Sequence, residues 1–189
     1  MMGRLNPKTG DIKLVRVPTQ RANPYGIKED SQGFLWASCN ASNCIMRLDP
    51  ETMEIKEYKT PSAETTIRRL VVTPDDMVWY TNSSLGGLGR LNPKTGEFKE
   101  WDSPSGRMSH PYGIEHINGV IWYNESGVRP DMLVRFDPKT EKFQSWPIAS
   151  GNVHAGIVRH MRATPQGTLL IHQSSTNQIM EVTIDEGQN

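Results

Sequence analysis

Arg90-Leu91-Asn92-Pro93-Lys94-Thr95-Gly96 is one of four copies of the same phrase. The others are Arg4-Leu5-Asn6-Pro7-Lys8-Thr9-Gly10, Arg47-Leu48-Asp49-Pro50 and Arg135-Phe136-Asp137-Pro138-Lys139-Thr140. Their arginines stand 43, 43 and 45 residues apart, and Trp36, Trp79 and Trp122 keep a spacing of 43. A period of this length marks a tandem array of one supersecondary unit. Features shared by the copies are then scaffold, and function is sought where the copies differ.

The third copy shows the unit. Tyr112–Ile117 reads as a first strand, Asn118-Gly119 as a hairpin turn and Val120–Asn124 as a second strand. Met132–Phe136 is a third strand, halted by the turn residues Asp137-Pro138-Lys139-Thr140, and Lys142–Trp146 is a fourth. No window sustains a helical apolar period, while thirteen prolines and sixteen glycines break the chain every few residues. Four antiparallel strands per repeat, with no helix between repeats, predict an all-β fold, a β-propeller.

The expected blades cover about 24–61, 66–104, 111–147 and 153–184 within a single repeat domain, and blade four stops after three strands. The N-terminal strand 11–18 is expected to supply its fourth. The apolar pairs Ile12/Val15, Ile55/Tyr58, Phe98/Trp101 and Phe143/Trp146 support that register. Three closures remain open: a four-bladed ring, a homodimer completing an eight-bladed ring, or a piece of a longer propeller. Trp36, Trp79 and Trp122 are expected in the core; Asp30, Asp49, Asp137 and the Lys-Thr-Gly turns are expected to be scaffold.

Twenty-one basic and twenty-one acidic side chains give zero formal net charge, without the basic excess that nucleic-acid or anionic-membrane binding uses. No apolar run reaches the ~18 residues of a membrane span. The first residues lack the apolar core of a signal peptide but open directly inside a repeat, so the compartment is not readable from them and the cytoplasm is only the favoured default. Cys39 and Cys44 have no flanking ligands for zinc. They read as two free thiols at a strand–turn–strand junction, with a hairpin disulfide in an oxidising compartment as the alternative.

In a propeller the first strand of each blade lines the axis. Aligning the copies on Ile27, Leu70, Ile114 and Met161 puts Tyr25, Arg68, Tyr112 and Arg159 in one column. Gly26, Arg69, Gly113 and His160 form the next. The end of strand two carries Cys39, Asn82, Glu125 and Gln173, with His172 beside the last. The copies alternate: Pro-Tyr-Gly-Ile, Ile-Arg-Arg-Leu, Pro-Tyr-Gly-Ile, Val-Arg-His-Met. Tyr25, Arg68, Arg69, Tyr112, Arg159 and His160 are therefore the candidate substrate-binding residues, the arginines offering donors to an anionic group. His110, His160 and His172 could converge on the channel mouth; His116 and His154 fall off the aligned positions.

The phrases from Pro24-Tyr25-Gly26-Ile27 to Trp36 and from Pro111-Tyr112-Gly113-Ile114 to Trp122-Tyr123-Asn124-Glu125 resemble repeats of the virginiamycin B lyase (streptogramin lyase) family. So does Arg-Leu-Asn-Pro-Lys-Thr-Gly followed by Phe98-Lys99-Glu100-Trp101, and the likeness covers essentially the whole chain. The resemblance implies a propeller that is seven-bladed in the family. It also implies a small-molecule ligand and a magnesium-assisted elimination that opens a cyclic depsipeptide at its ester. The family's Glu-Pro-His-Gly-Ile phrase matches His110-Pro111-Tyr112-Gly113-Ile114, so Tyr112 stands where the catalytic His is expected and His110 where a Glu is. Glu125 matches the later Glu.

The implied assignment makes Glu125 the magnesium ligand and Glu125, His110 and His172 the catalytic candidates. The expected ligand is a small anionic or lactone/ester compound at the channel mouth. The alternative is a non-catalytic propeller used for binding or assembly.

Overall fold

The structure, a computed structural model, describes residues 1–150 and 156–185. Each repeat folds as an antiparallel sheet whose strands pair in chain order. Blade one is β3 (Pro24–Glu29), β4 (Leu35–Cys39), β5 (Cys44–Leu48) and β6 (Ile55–Lys59). Blade two is β7 (Ile67–Val72), β8 (Val78–Asn82), β9 (Gly87–Leu91) and β10 (Phe98–Asp102). Blade three is β11 (Pro111–Ile117), β12 (Val120–Glu125), β13 (Met132–Asp137) and β14 (Lys142–Pro147). Blade four has β15 (Met161–Ala163), β16 (Leu169–Gln173) and β17 (Gln178–Val182). The expected start of blade four near Val153, and His154, lie outside the described residues. The only helical element among the described residues is one 3-10 turn, Arg107–Ser109, in the connection between blades two and three.

The repeated phrase is a turn. Asn6, Asp49, Asn92 and Asp137 each accept a bond from the backbone N–H two residues on, through their own side-chain oxygen. Such a local bond competes with strand pairing and stops the third strand. The backbone then returns through a positive φ, at Gly10 (79°), Met53 (67°), Gly96 (77°) and Glu141 (57°). Glycine occupies that position in two of the four copies because it has no side chain to strain there.

The core is a series of layers between neighbouring sheets. Trp36, Tyr58, Ile67 and Tyr80 pack between blades one and two, and Trp79, Leu88, Tyr123 and Phe136 between two and three. Trp122, Leu133, Met161 and Leu169 pack between three and four. All three repeated tryptophans are buried, and Trp36 donates its indole N–H to Asp30 Oδ2 at 2.8 Å.

Two expectations are corrected. The N-terminal strand does not complete blade four: β2 (Ile12–Val15) pairs with β1 (Met2–Leu5) as a two-stranded hairpin. Leu5 faces Ile12 there just as Leu48 faces Ile55 and Leu91 faces Phe98, so the hairpin reproduces strands three and four of a blade. A six-residue turn makes β1 the near partner, and short loops close at low entropic cost. The hairpin rests on blade one, with Arg4 donating to Pro50 O at 2.6 Å and Lys13 Nζ to Thr52 O at 3.2 Å.

The second correction concerns the cysteines. Cys39 and Cys44 face each other across β4 and β5, are both buried, and form a disulfide. Their sequence separation is only 5, so the loop it closes is short. Chain entropy for such a loop gives about 2 kcal/mol of stabilisation. Serine at both positions is expected to lower the urea midpoint by a corresponding amount without changing the slope; no change would show that the crosslink adds nothing to the fold.

Candidate functional site

The inner strands β3, β7, β11 and β15 lie side by side around the axis. In the first three, the ladder to strand two breaks at Pro24/Ile27, Ile67/Leu70 and Pro111/Ile114. Such a bulge leaves an amide without its ladder partner. A strand-two side chain takes it over: Ser38 Oγ accepts from Gly26 N at 2.8 Å, Thr81 Oγ1 from Arg69 N at 3.3 Å and Asn124 Oδ1 from Gly113 N at 2.7 Å. Ser38 and Thr81 also donate to the next blade's inner strand, at Arg68 O and Tyr112 O. The glycine of Pro-Tyr-Gly has a packing reason: a Cβ at Gly26 would stand 3.1 Å from Arg68 O, and one at Gly113 3.2 Å from Val158 O.

The broken ladders fall at Tyr25-Gly26, Arg68-Arg69 and Tyr112-Gly113. The Tyr25 and Tyr112 hydroxyls, from blades one and three, share a hydrogen bond. Arg68 lies 5.2 Å from the Tyr112 ring centre and Arg69 4.6 Å from that of Tyr25, distances at which a guanidinium is attracted to a ring face. Arg69 Nη2 stands 3.5 Å from His160 Nε2. Burial, together with Tyr25, holds the Tyr112 phenol above its usual pKa, and the positive charges of Arg68 and Arg159 oppose that rise. The phenol is therefore neutral at physiological pH and keeps its proton to donate.

Burial, then Arg69, Arg162, His172 and Arg159, lower the pKa of His160. Its folded pKa is below the unfolded value, so its contribution to stability is lost as pH falls through the ordinary imidazole range.

The cluster is electrostatically one-sided. No carboxylate among the described residues lies within ion-pair distance of Arg68, Arg69 or Arg159. The Nε atoms of Arg68 and Arg69 are buried without a hydrogen-bond partner. Unpaired buried donors of this kind are costly.

The three catalytic candidates are placed differently. Glu125 is fully buried, accepting from Ser103 Oγ at 2.5 Å, from Ser105 N at 3.1 Å and from Ser105 Oγ. It ties blade three to the segment that follows β10, much as Gln173 ties blade four to Ala149 O. Magnesium needs carboxylate oxygens left open to the ion and its waters. Both oxygens of Glu125 are taken, and no group of three or more His, Cys, Asp or Glu among the described residues could hold a metal. The residues around Glu125 therefore do not fit a magnesium ion.

His110 is exposed in a left-handed conformation (φ 47°), its Nδ1 3.0 Å from Ser83 O. His172 follows Ser38, Thr81 and Asn124 in the strand-two column that caps the bulges, and its Nδ1 is buried without a partner.

Sequence alignment passed over that capping column, although a small polar residue one place before the end of strand two recurs in it. It also passed over Lys28 and Arg162, which converge on the buried Glu115 at 3.5 and 3.9 Å further along the inner strands.

The sequence profile of the virginiamycin B lyase family matches residues 10–188. This chain belongs to the virginiamycin B lyase family. Virginiamycin B lyase from Staphylococcus aureus superposes with a TM-score of 0.80 at 24% identity, over 97% of this chain and 62% of that one. A catalytically inactive form of the same enzyme, crystallised with quinupristin, gives 0.80 and 24% over 98% and 63%. The computationally designed Ika4 protein gives 0.66 at 11%, over 92% of this chain and 98% of that one. This virginiamycin B lyase-family chain thus spans about three fifths of the S. aureus enzyme's length, and the likeness is one of fold. Comparison with curated proteins finds no match.

Proposed function

We propose that this virginiamycin B lyase-family propeller binds a small anionic or lactone/ester compound on the arginine–tyrosine cluster where its inner strands begin. One observation carries this reading: Arg68 and Arg69 present buried, unpartnered Nε donors against two tyrosine rings whose hydroxyls share a hydrogen bond, with no carboxylate among the described residues to pair with them. A planar oxygen-bearing group satisfies such donors two at a time. The quinupristin-bound S. aureus structure, of the same fold, supports a ligand of this general kind.

If the site performs carbon–oxygen elimination, a base must take a proton as the ester C–O bond breaks, and the electron pair leaves on the carboxylate. His160, held neutral beside Arg69, has an imidazole in the state a base requires. A second reading, binding without turnover, is favoured by Glu125, whose carboxylate is consumed in joining two blades.

Titration with quinupristin by calorimetry, followed by mass analysis of the recovered ligand, separates these readings. Saturable binding is expected, and Arg68→Gln with Arg159→Gln should weaken it at least tenfold, about 1.4 kcal/mol. Binding unaffected by those changes, or absent in the wild type, would remove the cluster from the ligand site. A ring-opened product without added water would identify a lyase; unchanged ligand would identify a binding module.

A further inference from the structure

We infer that the small cavity enclosed by the four inner strands is a carboxylate-selective subsite in which Arg69 and Arg159 grip a free carboxylate of the ligand. This rests on the ligand site proposed above and narrows its substrate class to compounds that carry, or release, a carboxylate.

The cavity is lined by Gly26, Lys28, Arg69, Gly113, Arg159 and Arg162, among others, so all four inner strands contribute to it. Its volume is about 20 Å³, room for a water or two or the head of one carboxylate group, not for a whole ligand. Four of its lining residues are cations and none is a carboxylate. The adjacent Glu115 is already shared between Lys28 and Arg162. Arg69 and Arg159 are left as the uncompensated pair.

Their chemistry selects the anion. Arg69 is packed on the Tyr25 ring, and its buried Nε lacks an acceptor. A guanidinium offers two parallel N–H donors to a carboxylate, and an amide or ester oxygen cannot engage both with charge. Gly26 and Gly113 form side-chain-free walls, and their amides are already taken by Ser38 and Asn124. The cavity's free donors are thus those of the arginines.

The test uses acetate as probe, with acetamide as its neutral isostere, at constant ionic strength set with chloride. In ¹⁵N-labelled protein the Arg69 Nε–H signal should shift saturably with acetate and stay fixed with acetamide. Acetate should also compete with quinupristin-type ligands after ester opening more than with the closed lactone. Arg69→Gln and Arg159→Gln should each weaken acetate binding tenfold or more. Arg69→Lys, which keeps the charge and loses the fork, should fall between; a shared urea midpoint for wild type and Arg69→Lys establishes that the fold is intact.

Equal responses to acetate and acetamide, or acetate binding undiminished in Arg69→Gln, would overturn the inference. If closed lactone binds the wild type while acetate neither binds nor competes, the subsite is wrong and the ligand site stands. If neither binds, both fall.

Discussion

Phe136→Ala is expected to lower the unfolding free energy by about 4 kcal/mol, within the range for removing a buried aromatic side chain. Phe136 is fully buried on β13, with ring centres of Phe143, Trp101 and Trp79 at 4.7, 5.0 and 5.7 Å. Trp101 belongs to blade two and Phe143 to blade three, so one ring joins the outer half of one sheet to the next. Neighbouring sheets meet mainly through such side chains, since their backbone bonds run within blades. A domain's net stability is only about 5–15 kcal/mol, so this loss should move the urea midpoint by a large fraction. The slope should hold if the chain unfolds as one unit. Phe136→Leu refills part of the space and should cost about a third as much. Trp101→Ala combined with Phe136→Ala should fall short of the sum, because each removes the other's contact. A loss under 1 kcal/mol for Phe136→Ala would mean that blades two and three do not pack as an interface.

That junction also shows why the fold was legible in the sequence and part of the site was not. The turn phrase works through bonds spanning two residues, such as Lys94 N to Asn92 Oδ1, so its meaning is local. The tryptophans sit at fixed offsets from it, and the column Tyr25, Arg68, Tyr112, Arg159 follows from aligning the copies. Contact between Tyr25 and Tyr112 is another matter: it joins blades one and three and depends on the curvature of the whole array. Nothing in either phrase encodes that curvature. The N-terminal strand carries the right apolar pair for a fourth strand, yet the pattern does not say which third strand receives it; the short turn decides. Cys39 and Cys44 are compatible with thiols or a disulfide by spacing, and cross-strand register brings them together. Glu125 matched a functional position by resemblance, while its partners Ser103 and Ser105 come from the end of the preceding blade, 22 and 20 residues earlier.

Glu125→Ala should therefore act on stability first, with an expected loss of about 3 kcal/mol. The Glu125 carboxyl group receives three hydrogen bonds, each worth on the order of 1 kcal/mol net, and such bonds do not add fully. Alanine would take the acceptor from the buried Ser103 hydroxyl and from the amide and hydroxyl of Ser105, which water can partly satisfy because that residue is exposed. Glu125→Gln should be milder, about 1–2 kcal/mol, because its amide oxygen can still accept from Ser105 N and Ser103 Oγ, and the Ser105 hydroxyl can turn to accept from the amide N–H. Ligand affinity in Glu125→Gln should stay within about twofold of wild type, since the arginine cluster does not use this side chain.

Magnesium supplies an independent check. An ion that binds only the folded state stabilises it in proportion to the logarithm of its concentration over the dissociation constant. Millimolar magnesium should leave the wild-type midpoint unchanged, because the carboxylate has no free oxygen to offer. Full stability of Glu125→Gln together with collapse of ligand binding, or a magnesium-dependent rise in midpoint that this substitution removes, would place Glu125 in the functional site and not in the seam between blades.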